Sequence, residues 1–147
     1  LAVLKVFDEE KLLERSKAVG EKLKAGLKTI AEKHKVIGDV RGLGSMVAIE
    51  LFEGGDHSKP AAELVGKIVA RARDKGLILL SCGTYYNVIR FLMPVTIPDA
   101  QLEKGIAIVA ECFDDMAVRP VARMEQGAGL QQLAWPARQL RGEAGDG

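Results

Sequence analysis

Residues 77–82 and 87–94 are two apolar runs separated by Gly83-Thr84-Tyr85-Tyr86, and this spacing most constrains what the chain can build. Returning to a parallel neighbour takes a crossover of a dozen residues or more, so a four-residue link predicts an antiparallel pair. The second run, Asn87-Val88-Ile89-Arg90-Phe91-Leu92-Met93-Pro94, carries one cation in its middle. Strand alternation sets Val88, Arg90 and Leu92 on one face and Ile89, Phe91 and Met93 on the other, so the guanidinium leaves an otherwise apolar surface. Three readings are open. The Arg90 stem lies on the core of an edge strand with its tip in water. It is paired to an Asp or Glu of the fold. Or its planar fork of donors grips the carboxylate of a ligand in bidentate fashion.

The rest of the chain surrounds that pair with helical periods. Asp8 reads as the N-cap of a long helix with Glu9 and Glu10 in its first turn. Leu12, Val19, Leu23, Leu27 and Ile30 form its apolar stripe, and Lys33, His34 and Lys35 lie at its C-terminal end. Gly20 and Gly26 weaken it by roughly 1 kcal/mol each relative to alanine, which suits close approach of a neighbouring element. Residues 36–39 read as a turn and residues 40–52 as one strand, with Gly42 and Gly44 marking a bulge or a backbone passing close. This glycine pair is not a phosphate loop, because a strand rather than a helix continues behind it. A polar, flexible loop follows at residues 53–59, and Pro60 opens the next helix, with Leu64, Ile68, Val69 and Ala72 as its buried stripe. Gly76 stops that helix from the C′ position. Thr96 and Asp99 resemble a capping box ahead of a last helix whose stripe is Leu102, Ile106, Val109 and Phe113.

The order helix, strand, helix, strand, strand, helix predicts an α+β fold, a small, mostly antiparallel sheet covered by helices. It spans residues 1–116. Residues 117–147 hold Pro120, Pro136 and several glycines without a sustained apolar period and read as a loose tail. Within it a short helix is expected around residues 130–133, and Trp135 is a docking side chain rather than a site. The start, Leu1-Ala2-Val3-Leu4, runs without methionine straight into helical pattern, as a piece of a longer chain would.

Charge and composition exclude several classes. A formal net charge of +1 gives no electrostatic footprint for nucleic acid or a membrane surface. No apolar run approaches the roughly 20 residues that span a bilayer, and no signal-peptide pattern is present; the cytoplasm is the expected compartment. Cys82 and Cys112 read as core thiols. His34 and His57 have no Cys or His at ligand spacing, so no metal site is expected. Arg41 suits a turn or interdomain salt bridge, Glu50 a solvated or paired carboxylate, and Tyr85 and Tyr86 packing with a hydroxyl outlet or the mouth of a pocket.

Residues 39–51 (DVRGLGSMVAIEL), 53–60, 68–82 (IVARARDKGLILLSC) and 85–94 (YYNVIRFLMP) resemble the C-terminal small domain of class III pyridoxal-phosphate aminotransferases, nearest their bacterial 4-aminobutyrate branch. The resemblance covers residues 1–116. It implies the C-terminal domain of a fold type I pyridoxal-phosphate enzyme, and for the full-length enzyme transfer of the amino group of 4-aminobutyrate to 2-oxoglutarate, giving succinate semialdehyde and glutamate. It further implies pyridoxal 5′-phosphate as cofactor, small amino and keto acids as partners, and a homo-oligomer. In that family the arginine matching Arg90 holds the α-carboxylate of glutamate or 2-oxoglutarate, so Arg90 is the substrate-binding candidate. The Schiff-base lysine, the aspartate at the pyridine nitrogen and the phosphate donors belong to the family's large domain; no catalytic, cofactor or metal residue is therefore assigned here, and the chain alone is expected to be inactive. The competing expectation is a non-catalytic module that binds an amino acid or pairs with an intact subunit.

Overall fold

A computed structural model describes residues 1–118. The elements run α1 (Ala2–Glu9), α2 (Leu12–Lys33), β1 (Ile37–Leu43), β2 (Met46–Leu51), α3 (Ala62–Asp74), β3 (Leu80–Cys82), β4 (Val88–Phe91) and α4 (Asp99–Val118). The strands form one antiparallel sheet in the order β1-β2-β4-β3. Helices α2 and α3 lie on one face of it, and α4 packs against both helices. The expected α+β architecture is thus present. The readings at residues 119–147, including the helix near residues 130–133 and Trp135, lie outside the described residues.

The core forms where the helical stripes meet the inner face of the sheet. Val19, Leu23, Leu27 and Ile30 of α2, Val65, Ile68 and Ala72 of α3, and Leu102, Val109, Cys112 and Phe113 of α4 close over Val47, Ile49, Leu51, Ile89 and Phe91. Each fully buried Leu, Ile or Val side chain contributes about 1.5–3 kcal/mol relative to exposure. Gly20 explains how α2 comes so near the sheet. A Cβ built there would stand 1.8 Å from the Gly44 carbonyl oxygen, so only glycine lets the helix rest on the β1–β2 turn. Ser16 fastens the same contact, its Oγ accepting the Ser45 backbone N–H at 3.0 Å. Helix α3 stops as expected. Gly76 at C′ has φ +84°, the Gly76 N–H donates to Arg73 and the Leu77 N–H to Ala72, a Schellman arrangement.

Several boundaries differ from the sequence reading. Asp8 caps nothing, because it lies inside α1; the break falls at Lys11, in the left-handed region at φ 49° and ψ 48°. Residues 36–52 form a hairpin rather than a turn and one strand. Ile37 already begins β1, and the chain reverses at Gly44-Ser45, where Gly44 has φ +53°. The sheet therefore has one strand more than expected. The loop at residues 53–59 is tied rather than flexible: a 3-10 turn at Glu53–Gly55 leads to Asp56, which accepts from the Ser58 backbone N–H at 3.0 Å and hydroxyl at 2.7 Å. Pro60 bridges back to Phe52, and α3 starts after Ala61. Asp99 does not cap α4 but pairs with Arg15 at 2.7 Å and Lys22 at 3.1 Å. The last helix continues past Met116 to Val118.

Candidate functional site: the outer face of the sheet

Residue pairing fixes which side chains share the outer face. Arg41, Ala48, Arg90 and Leu80 stand in one row across the four strands, and Asp39, Glu50, Val88 and Cys82 in the next. Arg90 is exposed while its chain neighbours Ile89 and Phe91 are buried, so alternation puts it opposite the helices as the sequence pattern requires. Of the first reading only the edge position fails, because β4 lies inside the sheet between β2 and β3, while the Arg90 side chain is exposed to solvent as that reading requires. The structural-pair reading does not hold within the described residues, among which Arg90 enters no hydrogen bond or ion pair.

Arg41 behaves differently. It is a strand residue of β1, and its Nη1 lies 2.6 Å from Asp39 Oδ2 and 2.6 Å from Glu50 Oε2, which replaces the expected turn or interdomain role with a bridge inside the sheet. Those hydrogen bonds, first to Asp39 and then to Glu50, hold its pKa above the ordinary arginine value. Glu50 is accordingly a paired carboxylate, and its other oxygen accepts from Asn87 Nδ2 at 3.3 Å. Asn87 is 1% exposed and also donates to the Leu51 carbonyl at 3.1 Å, while the Leu51 N–H donates to the Asn87 carbonyl at 2.9 Å. That pattern locks the start of β4 to the end of β2. Nothing in the sequence pattern singles out Asn87, whose type at the mouth of a strand ordinarily signals a turn.

Apart from the Arg41, Asp39 and Glu50 group, large apolar side chains are exposed around the sheet. Leu43, Met46, Ile78, Leu80, Tyr85, Tyr86 and Leu92 are all exposed large side chains. Leu43, Met46 and Leu80 share its sheet face by register. Tyr85 and Tyr86 form the β3–β4 turn, with the Tyr86 N–H donating to Gly83 and Tyr86 itself at φ 54°, a strained conformation for an aromatic residue. Of the two thiols, Cys112 is buried, and burial raises its pKa, as a core position demands. Cys82 is half-buried and lies on the outer face, so it is not the core thiol that its sequence suggested.

Elsewhere the chemistry is sparse. Among the described residues no group of three or more His, Cys, Asp or Glu side chains is placed to hold a metal ion. His34 Nε2 lies 2.9 Å from Asp114 Oδ1, which accepts its N–H, and the ring packs on Phe113, while His57 packs on Phe52 with ring centroids 4.3 Å apart. A crevice of about 80 Å³ between α2 and α4, lined by Thr29, Ile30, Lys33, His34, Ala110 and Asp114, is far too small for an amino acid. No described helix is long and apolar enough to cross a membrane.

Among the described residues, fold and face together define an antiparallel sheet covered by helices on one side and presenting on the other one unpaired guanidinium beside apolar side chains, and comparison with known proteins places it. The class III aminotransferase family model matches residues 1–113, and the chain belongs to that family. It is 86% identical over 117 residues to a 5-aminovalerate aminotransferase of Pseudomonas aeruginosa, covering 80% of this chain and 28% of the relative. It is 65% identical over 115 residues to a 4-aminobutyrate aminotransferase of Escherichia coli K12, covering 78% of this chain and 27% of the relative. A solved aminotransferase structure from Bacillus anthracis superposes with a TM-score of 0.69 at 26% identity, over 76% of this chain and 26% of that one. The chain thus spans little more than a quarter of the relatives it matches. Class III aminotransferases use pyridoxal phosphate. The described residues do not fit that cofactor: every lysine among them is on a helix, at a helix end or in a loop, and none is buried.

Proposed function

We propose that this chain is the C-terminal part of an aminotransferase that moves the terminal amino group of 4-aminobutyrate or 5-aminovalerate to 2-oxoglutarate, and that Arg90 receives the α-carboxylate of the 2-oxo acid and of the glutamate formed. The observation that carries this reading is the position of Arg90, a fork of donors on a central strand with no anion paired to it among the described residues. The names of the relatives support both amino donors, and the higher identity lies with the 5-aminovalerate enzyme. Their being enzymes does not favour a non-catalytic module.

In this reading the chain contributes position rather than bond chemistry. Bidentate pairing fixes the plane and the distance of the incoming carboxylate, which converts a loosely held keto acid into one presented in a single orientation. The apolar rim of Leu43, Met46 and Leu80 lowers the local dielectric once covered, and a charge pair there is stronger than in water. Pyridoxal phosphate, when bound in the full-length enzyme, supplies the electron sink, and its lysine belongs to the part of the relatives that this chain does not span. The cytoplasm and a homo-oligomer complete the proposal.

The test is Arg90→Ala in the full-length enzyme. Losing one charge-assisted bidentate contact should raise KM for 2-oxoglutarate roughly a hundredfold, with the cofactor's absorption spectrum unchanged. An unaltered KM overturns the assignment.

A further inference from the structure

Among the described residues, Glu50 is the carboxylate that register brings nearest to Arg90. Its Cα partner across the β2–β4 pair is Val88, two residues from Arg90 on the same face, so the two side chains are diagonal neighbours. Diagonal neighbours lie about 7–8 Å apart at Cα, within reach of long side chains. Glu50 holds the same relation to Arg41, because its partner in β1 is Asp39, two residues from Arg41. One carboxylate thus stands between two guanidinium groups, and only Ala48 separates those two arginines along their row. The structure shows how the choice falls. Glu50 Oε2 accepts from Arg41 at 2.6 Å and Oε1 accepts from Asn87 at 3.3 Å, so both of its oxygens are held. The second carboxylate of the face, Asp39, is held by Arg41 as well, at 2.6 Å.

From this arrangement we infer that Arg41, with Asn87, is a positioning residue that holds Glu50 away from Arg90 and so removes one competitor for the substrate receptor. Arg41 touches no substrate; it acts by occupying the competing anion. This inference rests on Arg90 being the receptor for the α-carboxylate. Removing Arg41 releases Glu50 toward the remaining guanidinium. The receptor is then free for only part of the time, and apparent affinity for its ligand falls by that fraction.

The experiment uses the full-length enzyme and resolves the two half-reactions. Arg41→Met should raise KM for 2-oxoglutarate roughly fivefold, while kcat and the half-reaction with 4-aminobutyrate or 5-aminovalerate, which lack an α-carboxylate, stay near wild type. Adding Glu50→Gln should return KM for 2-oxoglutarate toward the wild-type value. General misfolding would instead depress both half-reactions, and E50Q would not separate them. Arg90→Ala is the control. If R90A leaves 2-oxoglutarate KM unchanged, the receptor reading itself fails. If R90A abolishes 2-oxoglutarate use but R41M has no effect, or E50Q does not rescue it, the positioning role of Arg41 is overturned and the receptor reading stands.

Discussion

Two glycines show how much one atom decides at the scale of a residue. Gly20 and Gly66 are both helical, and by propensity alone alanine at either should stabilise the helix by about 1 kcal/mol. At Gly66 a Cβ meets nothing within 4 Å, whereas at Gly20 it would stand 1.8 Å from a backbone oxygen. Opposite signs follow. Gly66→Ala should raise the free energy of unfolding, and Gly20→Ala should lower it by an amount typical of overpacking, about 1–3 kcal/mol, measurable by denaturant titration. The thiols are distinguished in the same way. Native alkylation followed by mass spectrometry should label Cys82 and spare Cys112, which is 0% exposed and whose burial keeps it in the unreactive protonated form. Sequence made the face of Arg90 legible, since alternation needs only the pattern. It left open the partner of Arg41, because Asp39 and Glu50 approach it only when β1 and β2 pair, and it mistook Cys82 for a core residue because β3 is flanked by apolar neighbours on both sides.

At the scale of elements, the stripes of α2, α3 and α4 were readable because each recurs at helical intervals over several turns. The β1–β2 hairpin was not, although Gly44-Ser45 between two apolar runs is a recognised two-residue turn signal. Unbroken β-propensity on both sides hid it. The polar faces of α4 are clamped to its neighbours by ion pairs: Asp99 to Arg15 and Lys22, Asp115 to Arg71 at 2.7 Å, and Glu111 to Lys75 at 2.6 Å. Hydrogen bonds from Arg15 and from Arg71 lower the pKa of Asp99 and Asp115 respectively, and those to Glu103 and Asp99 raise that of Lys22. A carboxylate with a lowered folded pKa contributes stability that is present above its unfolded value and lost as pH falls through the folded one. The thermal midpoint should therefore decline as pH drops below the ordinary aspartate value of 3.8, and D99N/D115N should show a smaller decline over the same window. Lysine sets the opposite limit. The Lys22 contribution persists below its ordinary value of 10.5 and is lost as pH rises through the higher folded value. These groups are solvent-exposed, so salt should weaken both effects.

Considered as a whole, the described residues cover the sheet on one side only. Helices close the inner face of the sheet, while Leu43 at 86%, Leu80 at 49% and Met46 at 51% exposure share the other with Arg90. An apolar area of that kind tends to associate. By itself the polypeptide should form higher oligomers in sedimentation velocity runs, and Leu43→Lys with Leu80→Lys should return it toward a monomer; a monomeric wild-type chain would argue against this. The overall α+β plan was accessible from the sequence because the order of apolar periods sets the layers. The β3–β4 pair followed from its short link, but the seating of β4 beside β2 did not, since it depends on long-range pairing.

The seating of β4 between β2 and β3 has a mechanical consequence. Backbone pairing on both flanks leaves the platform under the guanidinium little room to yield, so in the role proposed for Arg90 any adjustment to guests of unequal length falls to torsions about the bonds of a single flexible arm.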